Sequence, residues 1–328
     1  MAIGTSAHNF KAPEAVAVAN VLVGERLALT RTMSRSFESL FGGGKGAVIN
    51  VRVPAVLMAR RRNLHSTDPI LLDTIKQGTT FPLALSDHIY HAVRLDDADL
   101  TLDLTDFGAQ VLSPQAIAVG EDVERVALAV LKSVALTALT TLPYDATKPE
   151  ATFTKARKML RDKGLPTEGF FAAVGTAVYA NLLDSNALKD ASQAGDAGAL
   201  RNADTGRVRG FDIVESNALD TDEIIFYSNS SFHLAVRAPV VPAGVAFGAS
   251  ASGSGFALRW IRDYDSVTLA DRSVVSTFVG GGVVPVYRQV DVAAVAANPS
   301  ATPPVVAADA RVDLVQEIPA IRIKTGVV

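Results

Sequence analysis

A glycine-rich run at residues 42–46, Gly-Gly-Gly-Lys-Gly, has the composition of a phosphate-binding loop. A Walker-type loop needs a hydroxyl side chain directly after the lysine to bind magnesium, and a helix N-terminus that faces the phosphates. Here Gly46 follows Lys45, and the residues beyond alternate as in a strand. We therefore interpret the run as a hinge in which glycine allows positive φ. The hinge residues are Gly42, Gly43, Gly44 and Gly46.

Three other groups of residues have types that could do chemistry. The serine-rich stretch 248–255 lacks the G-x-S-x-G spacing of a nucleophile elbow, so we predict a surface loop there. His88 and His91 are spaced for one metal ion on a helix, but the surrounding sequence predicts no helix and no third ligand. A set of aspartates alternates with leucine and departs from the EF-hand pattern. They are Asp96, Asp97, Asp99, Asp103 and Asp106.

No nucleophile, base and orienting residue can be grouped from this sequence, so we predict no catalytic, metal or cofactor site. The 328 residues carry a net charge of −3, and 48% of them are hydrophobic. This charge argues against a protein that grips nucleic acid. The absence of cysteine excludes a disulfide framework and agrees with a reducing cytoplasm.

The sequence predicts no membrane segment and no secretion signal. The first residues lack a basic head followed by an apolar run. The most apolar long stretch, residues 123–139, is interrupted by three charged residues and falls short of the roughly 20 residues that span a bilayer. We expect a soluble chain that is made and kept in a cytoplasm.

Alternating residues predict two strands that bound a long excursion. Residues 49–53 alternate and end at Pro54, which cannot donate to a sheet. The alternation returns over residues 92–107, where a change of phase near Asp96 predicts a bulge. A lone two-stranded ribbon is marginal in water. The excursion at residues 47–107 therefore needs another surface to lie against.

Two helices are predicted in the first half of the chain. Residues 13–29 have an apolar stripe at helical spacing, formed by Val18, Leu22, Val23 and Leu27. A longer helix begins with Ser113 as N-cap and continues until Pro143 stops it. About 25 residues would form a rod of about 40 Å, which is long for a globular domain.

Beyond Pro143 the sequence alternates between short helices and short strands. The predicted helices are 148–163, 176–183 and one that starts near Ser230; the predicted strands are 170–174, 208–215, 224–227, 258–264, 274–279 and a weak edge strand in 312–323. Gly280 to Gly282 predict a bend, and the proline-rich residues from 298 predict a linker.

This order of elements resembles the major capsid proteins of tailed bacteriophages, which have the Hong Kong 97-type fold. Residues 43–54 resemble the entry to the extended loop of that family, and residues 85–115 resemble its return strand and the run into the spine helix. Residues 199–219 and 246–280 resemble the central and closing strands. Within the family, these sequence segments are most similar to those of the podovirus-type coat proteins and their relatives in actinobacterial phages.

The resemblance implies an α+β Hong Kong 97-like capsid fold divided into five parts. They are an N-terminal arm (1–46), an extended β-hairpin loop (47–112), a peripheral domain with the long spine helix (113–150 and 270–297), an axial domain (151–269) and a C-terminal extension (298–328). It also implies pentamers and hexamers of the chain in an icosahedral virion shell around double-stranded DNA. Such shells are assembled in the host cytoplasm with possible scaffolding, portal and decoration partners.

Charge suggests how neighbouring copies find their register. We hypothesise that Arg60, Arg61 and Arg62 of one copy face acids of another. Those acids are Asp96, Asp97 and Asp99. Two other functions stay open at this point: an encapsulin-like compartment with enzyme cargo, and an α/β enzyme that acts on a small molecule.

Overall fold

The computed structural model describes residues 27–41, 46–52, 64–65, 80–96, 108–166, 168–185, 206–245, 247–253, 256–267, 270–291 and 312–326. Within these ranges the chain combines helices with several β-sheets, which confirms the predicted α+β class. None of the helices in these ranges is both long enough and apolar enough to cross a membrane.

The α-helices of the described residues are α1 (Ser113–Lys132), α2 (Pro149–Asp162) and α3 (Thr176–Asp184). The strands are β1 (Val48–Arg52), β2 (Thr80–Ala84), β3 (Asp87–Asp96), β4 (Phe170–Val174), β5 (Arg207–Val208), β6 (Phe211–Glu215), β7 (Glu223–Ser228), β8 (Phe232–Arg237), β9 (Phe247–Gly253), β10 (Phe256–Asp265), β11 (Ala270–Val283), β12 (Val286–Asp291), β13 (Val312–Glu317) and β14 (Ala320–Lys324).

The first sheet has the order β3-β11-β10-β9, and β8 pairs with the far end of β11. Helix α1 packs on one face of this sheet, where Trp260 and Val275 are buried opposite each other. A buried polar contact joins the layers: Trp260 Nε1 donates to Ser273 Oγ at 2.9 Å, and Ser273 Oγ donates to Gln115 Oε1 of α1 at 2.7 Å. Because each buried polar group has a partner, the network fixes the position of α1 on the sheet.

The second sheet has the order β14-β7-β4-β6-β5 and is apolar on both faces. Its strand β7, which lies between β14 and β4, is buried at every position. Ile224 and Phe226 face the core formed with α2 and α3, whereas Ile225 and Tyr227 face the core that contains α1. This sheet is therefore the common wall of two hydrophobic cores. Strand β14 lies at one edge of this sheet beside β7, which agrees with the edge strand predicted within residues 312–323.

Helix α1 is shorter than its sequence pattern predicts. A π-helical turn at Gly108–Leu112 precedes it, so Ser113 is the first residue of α1 and its side chain makes no cap bond. The helix ends at Lys132, and Leu136 forms a bridge with Arg322 of β14 instead of a further turn. The Arg322 guanidinium accounts for this ending, since Nη1 donates to the Lys132 carbonyl at 2.8 Å and to the Val134 carbonyl at 3.4 Å. A tertiary contact thus ends the helix before the apolar stripe does.

The ribbon differs from the predicted one in its second strand. β1 pairs with β2, with Arg52 opposite Thr80, while residues 53–79 form the connection. The strand predicted over 92–107 begins earlier, as β3, and lies at the edge of the five-stranded sheet beside β11. The excursion therefore closes with β2, and residues 97–107 lie outside the described residues.

Three further predictions on strands and loops are corrected by the sheet pairing. Residues 280–282 are not a bend: they belong to β11 and pair with β8. The helix predicted near Ser230 is β8, preceded by a short 3-10 turn, because Phe232 to Arg237 find a partner strand in β11. The predicted surface loop in 248–255 is largely β9, since its backbone pairs with β10. The helices α2 and α3 and the strands β4, β7 and β10 confirm their predictions.

Glycine at position 280 allows the ribbon to approach β11. A Cβ atom on Gly280 would lie 1.9 Å from the Ala84 carbonyl oxygen, and one on Gly282 would lie 3.0 Å from the Phe81 ring. The first obstacle is backbone, so it cannot be relieved by a side-chain rotation. The close approach of β2 to β11 therefore requires glycine at 280.

We expect Gly280→Ala to displace the base of the ribbon and to lower the free energy of unfolding by about 1–3 kcal/mol, as in other overpacked sites. Gly244→Ala is the matched control, because no atom lies within 4 Å of a Cβ there, and its effect should stay within about 0.5 kcal/mol. Urea unfolding of both variants measures the difference. Equal midpoints would contradict the required close approach.

Candidate assembly surfaces

The chain that leads into the ribbon is fastened to α1 by a single carboxylate. Glu124 accepts backbone N–H bonds from Ala28 (3.1 Å) and Leu29 (2.5 Å) at Oε1 and from Thr30 (3.2 Å) at Oε2. These donors belong to a bend and to the start of a 3-10 turn at Thr30–Thr32, so the helix predicted over 13–29 does not extend through residues 27–29. Three charge-assisted bonds to one carboxylate hold this segment in place.

Side chains around the same turn anchor it to both sheets. Leu27, Leu29 and Met33 are buried in the core of α1, and the Thr32 hydroxyl is bonded to the Tyr227 hydroxyl of β7. Burial raises the pKa of Tyr227 above that of a free tyrosine, so its phenol stays protonated at neutral pH. Residues 27–41 therefore lie against their own chain. Residues 1–26 of the predicted arm lie outside the described residues.

A half-buried charged cluster follows the turn. Arg35 Nη1 lies 3.9 Å from Glu38 Oε2. Burial raises the pKa of Glu38, an effect that Arg35 and a backbone N–H from Val236 oppose. Burial likewise lowers the pKa of His233, whose ring contacts Phe37 at 4.7 Å and whose Nε2 lies 3.0 Å from the Ser230 carbonyl. His233 is a buried residue of β8.

The ribbon has a buried base and a glycine at its entry. Phe41, Val51, Leu83 and Ala235 form a small core at that base, and Arg237 donates to the Phe41 carbonyl. Gly46 has φ +88°, and a Cβ there would meet no atom within 4 Å, while the hinge itself stays a prediction. Gly42, Gly43 and Gly44 lie outside the described residues. The ribbon thus leaves the body of the chain from a fixed base.

An ionic cluster connects the end of α1 to the second sheet. Glu223 of β7 has no solvent exposure, and its carboxylate is bonded to Arg322 of β14 and lies 3.4 Å from Lys132 Nζ. Asp220 accepts from Lys132 at 3.2 Å and from Lys324 at 2.7 Å, and these bonds lower the pKa of Asp220. Removing one partner of such a buried pair is strongly unfavourable, so the cluster fixes the two cores relative to each other.

The residues predicted to set register are only partly described. Asp96 is exposed at the end of β3, where Arg94 Nε lies 2.8 Å from its Oδ1. Arg94 stands opposite Arg272 of β11, which is paired with Asp263 at 2.9 Å. The structure therefore places Asp96 in an exposed band of charges of both signs, in which Arg94 and Arg272 are neighbours. Arg60, Arg61, Arg62, Asp97 and Asp99 lie outside the described residues, so their pairing stays a prediction.

The two histidines of β3 do not form a metal site. His88 stands opposite Phe278 and His91 opposite Val275, which are on different faces of the sheet because strand residues alternate. Burial, and secondly the charge of Arg259, lower the pKa of His88. Among the described residues, no three His, Asp or Glu side chains are grouped so that they could hold a metal ion.

Comparison with known proteins shows which solved structures share the fold of this chain. No protein-family model matches the sequence, and no curated protein matches it. A chain from "Mycobacterium phage Che8" has a TM-score of 0.60 at 20% identity, covering 79% of this chain and 88% of that chain. Chains from "Capsid structure of the Cyanophage P-SCSP1u" and "Asymmetric unit of bacteriophage PhiM1 mature capsid" have TM-scores of 0.54 and 0.51, both at 14% identity. They cover 73% and 86% of this chain, and 81% and 82% of their own lengths.

The chain has the tailed-phage capsid fold. Its similarity to these chains extends over most of each molecule. The family resemblance noted in the sequence is thereby confirmed at the level of the fold.

Sequence reasoning missed the residues that hold this capsid fold together. In the sequence, Glu124 is only one of several acids in the predicted long helix, and Glu223 and Arg322 are separated by 99 positions. One signal was available for Glu223: it is a single acid at the head of an otherwise apolar strand, Glu-Ile-Ile-Phe-Tyr. A buried carboxylate needs an opposite charge or hydrogen-bond donors beside it, so an acid at this position indicates a nearby cation. Nothing in the sequence pointed to Arg322 as its partner.

We expect Glu124→Gln to loosen the segment at residues 27–41, because the charged acceptor of three N–H groups is lost. Each hydrogen bond to a charged group contributes about 1.5–3 kcal/mol to stability. The amide hydrogens of Ala28, Leu29 and Thr30 should therefore exchange with solvent at least tenfold faster in the variant. Glu121→Gln, which changes an exposed acid one turn earlier, is the control. Unchanged exchange at these three amides would refute the role of Glu124.

Proposed function

We propose that this chain is a major capsid protein that self-assembles into an icosahedral shell around double-stranded phage DNA. The observation that carries the proposal is the similarity of its fold to chains of phage capsids over most of their length. We also propose that its role is structural and not catalytic. We propose the podovirus-type branch from the resemblance of these sequence segments alone.

The five-part division of the family supports a simple arrangement for this chain. Residues 1–46 would be the arm, 47–112 the extended loop, 113–150 with 270–297 the peripheral domain, 151–269 the axial domain and 298–328 the C-terminal extension. If the unit boundaries follow the observed sheets, the peripheral unit also includes β8 to β10, and the axial unit also includes β14.

The ribbon is the part of the molecule that most needs a neighbour. Its described strands form only five residue pairs, and isolated two-stranded ribbons are marginal in water. Gly280 and the small core at its base hold one end against β11, and at the other end Arg52 and Thr80 are joined by residues 53–79. We propose that this part overlaps an adjacent copy, so that pentamers and hexamers gain contact area from an extended element.

The net charge of −3 supports enclosing DNA without adhering to it, because phosphate binding requires basic surfaces. We propose assembly in the host cytoplasm. Scaffolding, portal and decoration proteins are possible additional partners, as in the family that the sequence resembles.

Shortening the ribbon should abolish assembly without unfolding the chain. Arg52 and Thr80 are directly paired, so residues 53–79 can be replaced by Asn-Gly, which closes a two-residue hairpin. We expect the shortened chain to remain monomeric with an unfolding midpoint near that of the parent. The parent should form closed shells of uniform diameter in negative-stain microscopy.

Two outcomes would count against the proposal. Shells formed by the shortened chain would remove the ribbon from assembly, and a parent chain that stays monomeric and turns over a small molecule would favour the enzyme. The contents of shells purified from cells decide between the remaining functions: DNA supports the capsid, whereas enclosed protein supports a cargo compartment.

The charge hypothesis can be tested by exchange of signs. Replacing Arg60, Arg61 and Arg62 by Glu should lower particle yield at least tenfold and leave the monomer folded, since complementary charges set register more than strength. Adding Asp96→Arg, Asp97→Arg and Asp99→Arg to the same chain should restore particles. If particle yield is unchanged by the first set, or if the second set restores nothing, these acids are not the partners.

A further inference from the structure

A positively charged surface lies on α2, in a chain that is negatively charged overall. Residues 148–163 contain six lysines and arginines against two acids, an excess of four positive charges, whereas the whole chain has a net charge of −3. Arg157 and Arg161 are one helical turn apart, so they lie on the same side of α2. Arg161 is exposed and Arg157 is half-buried. Both donate to backbone carbonyls, and neither is ion-paired with an acid in the described parts of the chain.

The turn between β5 and β6 brings a third arginine beside these two. Val208 pairs with Phe211, so the turn consists of Arg209 and Gly210. Arg157 lies against this turn, because its Nη1 donates to the Arg209 carbonyl at 3.0 Å. A Cβ atom on Gly210 would lie 1.4 Å from Arg157 Nη1, so glycine there leaves room for the arginine. We name the three residues Arg157, Arg161 and Arg209 the arginine cluster.

Arg209 has a backbone conformation that arginine rarely adopts. Its φ is +50° and that of Gly210 is +88°, as in a type I′ hairpin turn, whose first position favours asparagine, aspartate or glycine. Among the described residues, Arg209 alone combines positive φ with a side chain. That side chain is exposed and has no bonded partner in the described ranges. Because unfavourable backbone conformations cluster at functional sites, this position indicates a use for the charge outside the fold of the single chain.

The chemistry of the arginine cluster fits phosphate. A guanidinium donates several N–H bonds in one plane, an arrangement that matches the oxygens of a phosphate group. Arginines that are not neutralised by an acid keep their full charge for such a ligand. Double-stranded DNA presents one negative charge per about 1.7 Å of its axis, so it offers phosphates to all three arginines at once.

We propose that the arginine cluster binds the phosphate backbone of double-stranded DNA without reading its bases. This inference rests on the proposed function, because a shell around DNA places its copies beside a duplex. The contact of one copy is weak, since three arginines neutralise about three phosphates and the chain as a whole is negatively charged. Many copies in one shell would hold the DNA through many reversible contacts.

The variant Arg209→Asn tests the proposal, because asparagine suits the turn and removes the charge. Its unfolding midpoint in urea should equal or exceed that of the parent. Fluorescence anisotropy of a labelled duplex measures binding, with the full chain at concentrations at which light scattering detects no shells. At about 50 mM salt, we expect Arg209→Asn to bind the duplex at least threefold more weakly than the parent does.

Salt dependence supplies a readout that a merely structural role of Arg209 would not change. With three phosphate contacts, the affinity of the parent should fall about 40-fold between about 50 mM and about 200 mM salt, and that of Arg209→Asn about 12-fold. The matched control is Arg125→Gln, which removes an exposed arginine of α1 that is paired with Asp122. This control should bind the duplex as the parent does.

Three outcomes would overturn the proposal: no binding by the parent, equal affinity of the parent and Arg209→Asn, or tighter binding of poly-glutamate of equal charge with the same dependence on Arg209. The last outcome would indicate an acidic protein as the partner. If shells that contain DNA form nevertheless, the proposed function stands and only the DNA contact is refuted. Duplex binding that depends on Arg209, in a chain that never forms shells, would support the DNA contact and refute the capsid.

Discussion

One strand, β11, must satisfy neighbours on both edges and both faces, and the rest of the molecule is arranged around it. One edge pairs with β3 from Ala270 to Val279, and the other pairs first with β10 and then with β8. One face carries α1, held by the contact between Gln115 and Ser273. At its far end, the glycines that follow Val279 make room for the ribbon. No other strand in the described residues has so many partners, so the position of β11 determines where helix, sheet and ribbon meet.

The second constraint is that two cores share one sheet. Because β7 is buried on both faces, its side chains must suit both the α1 core and the core of α2 and α3. The buried Glu223 at its start requires cations, and Arg322 and Lys132 supply them from β14 and α1. The same guanidinium ends α1 by donating to the carbonyl of Lys132, the last residue of the helix, and to that of Val134. A single ionic cluster thus sets both the length of the helix and the relation between the cores.

For a shell protein, this division of stability has a functional meaning. The parts that are strongly held, namely the two cores and the segment fastened by Glu124, would keep the subunit rigid. Among the described residues, the ribbon is held at its base, and assembly through several modest contacts allows incorrect contacts to dissociate. The electrostatic band of Arg94, Asp96, Asp263 and Arg272 is solvent-exposed, where each ion pair contributes about 0–1 kcal/mol, so it can orient copies without fixing them irreversibly.

The sequence by itself determined the elements whose signal is local. Helix α2 follows from the spacing of Phe153, Ala156 and Leu160 and from the left-handed Gly164 at its end, and β4 and β7 follow from short apolar runs. The order of these elements was also enough to recognise a capsid fold. Only the tertiary structure decided the partner of β1, the end of α1 and the state of residues 280–282. Each of these depends on a group that is distant in sequence, because strand pairing, a carbonyl-capping arginine and the space beside a glycine are properties of neighbours and not of local pattern.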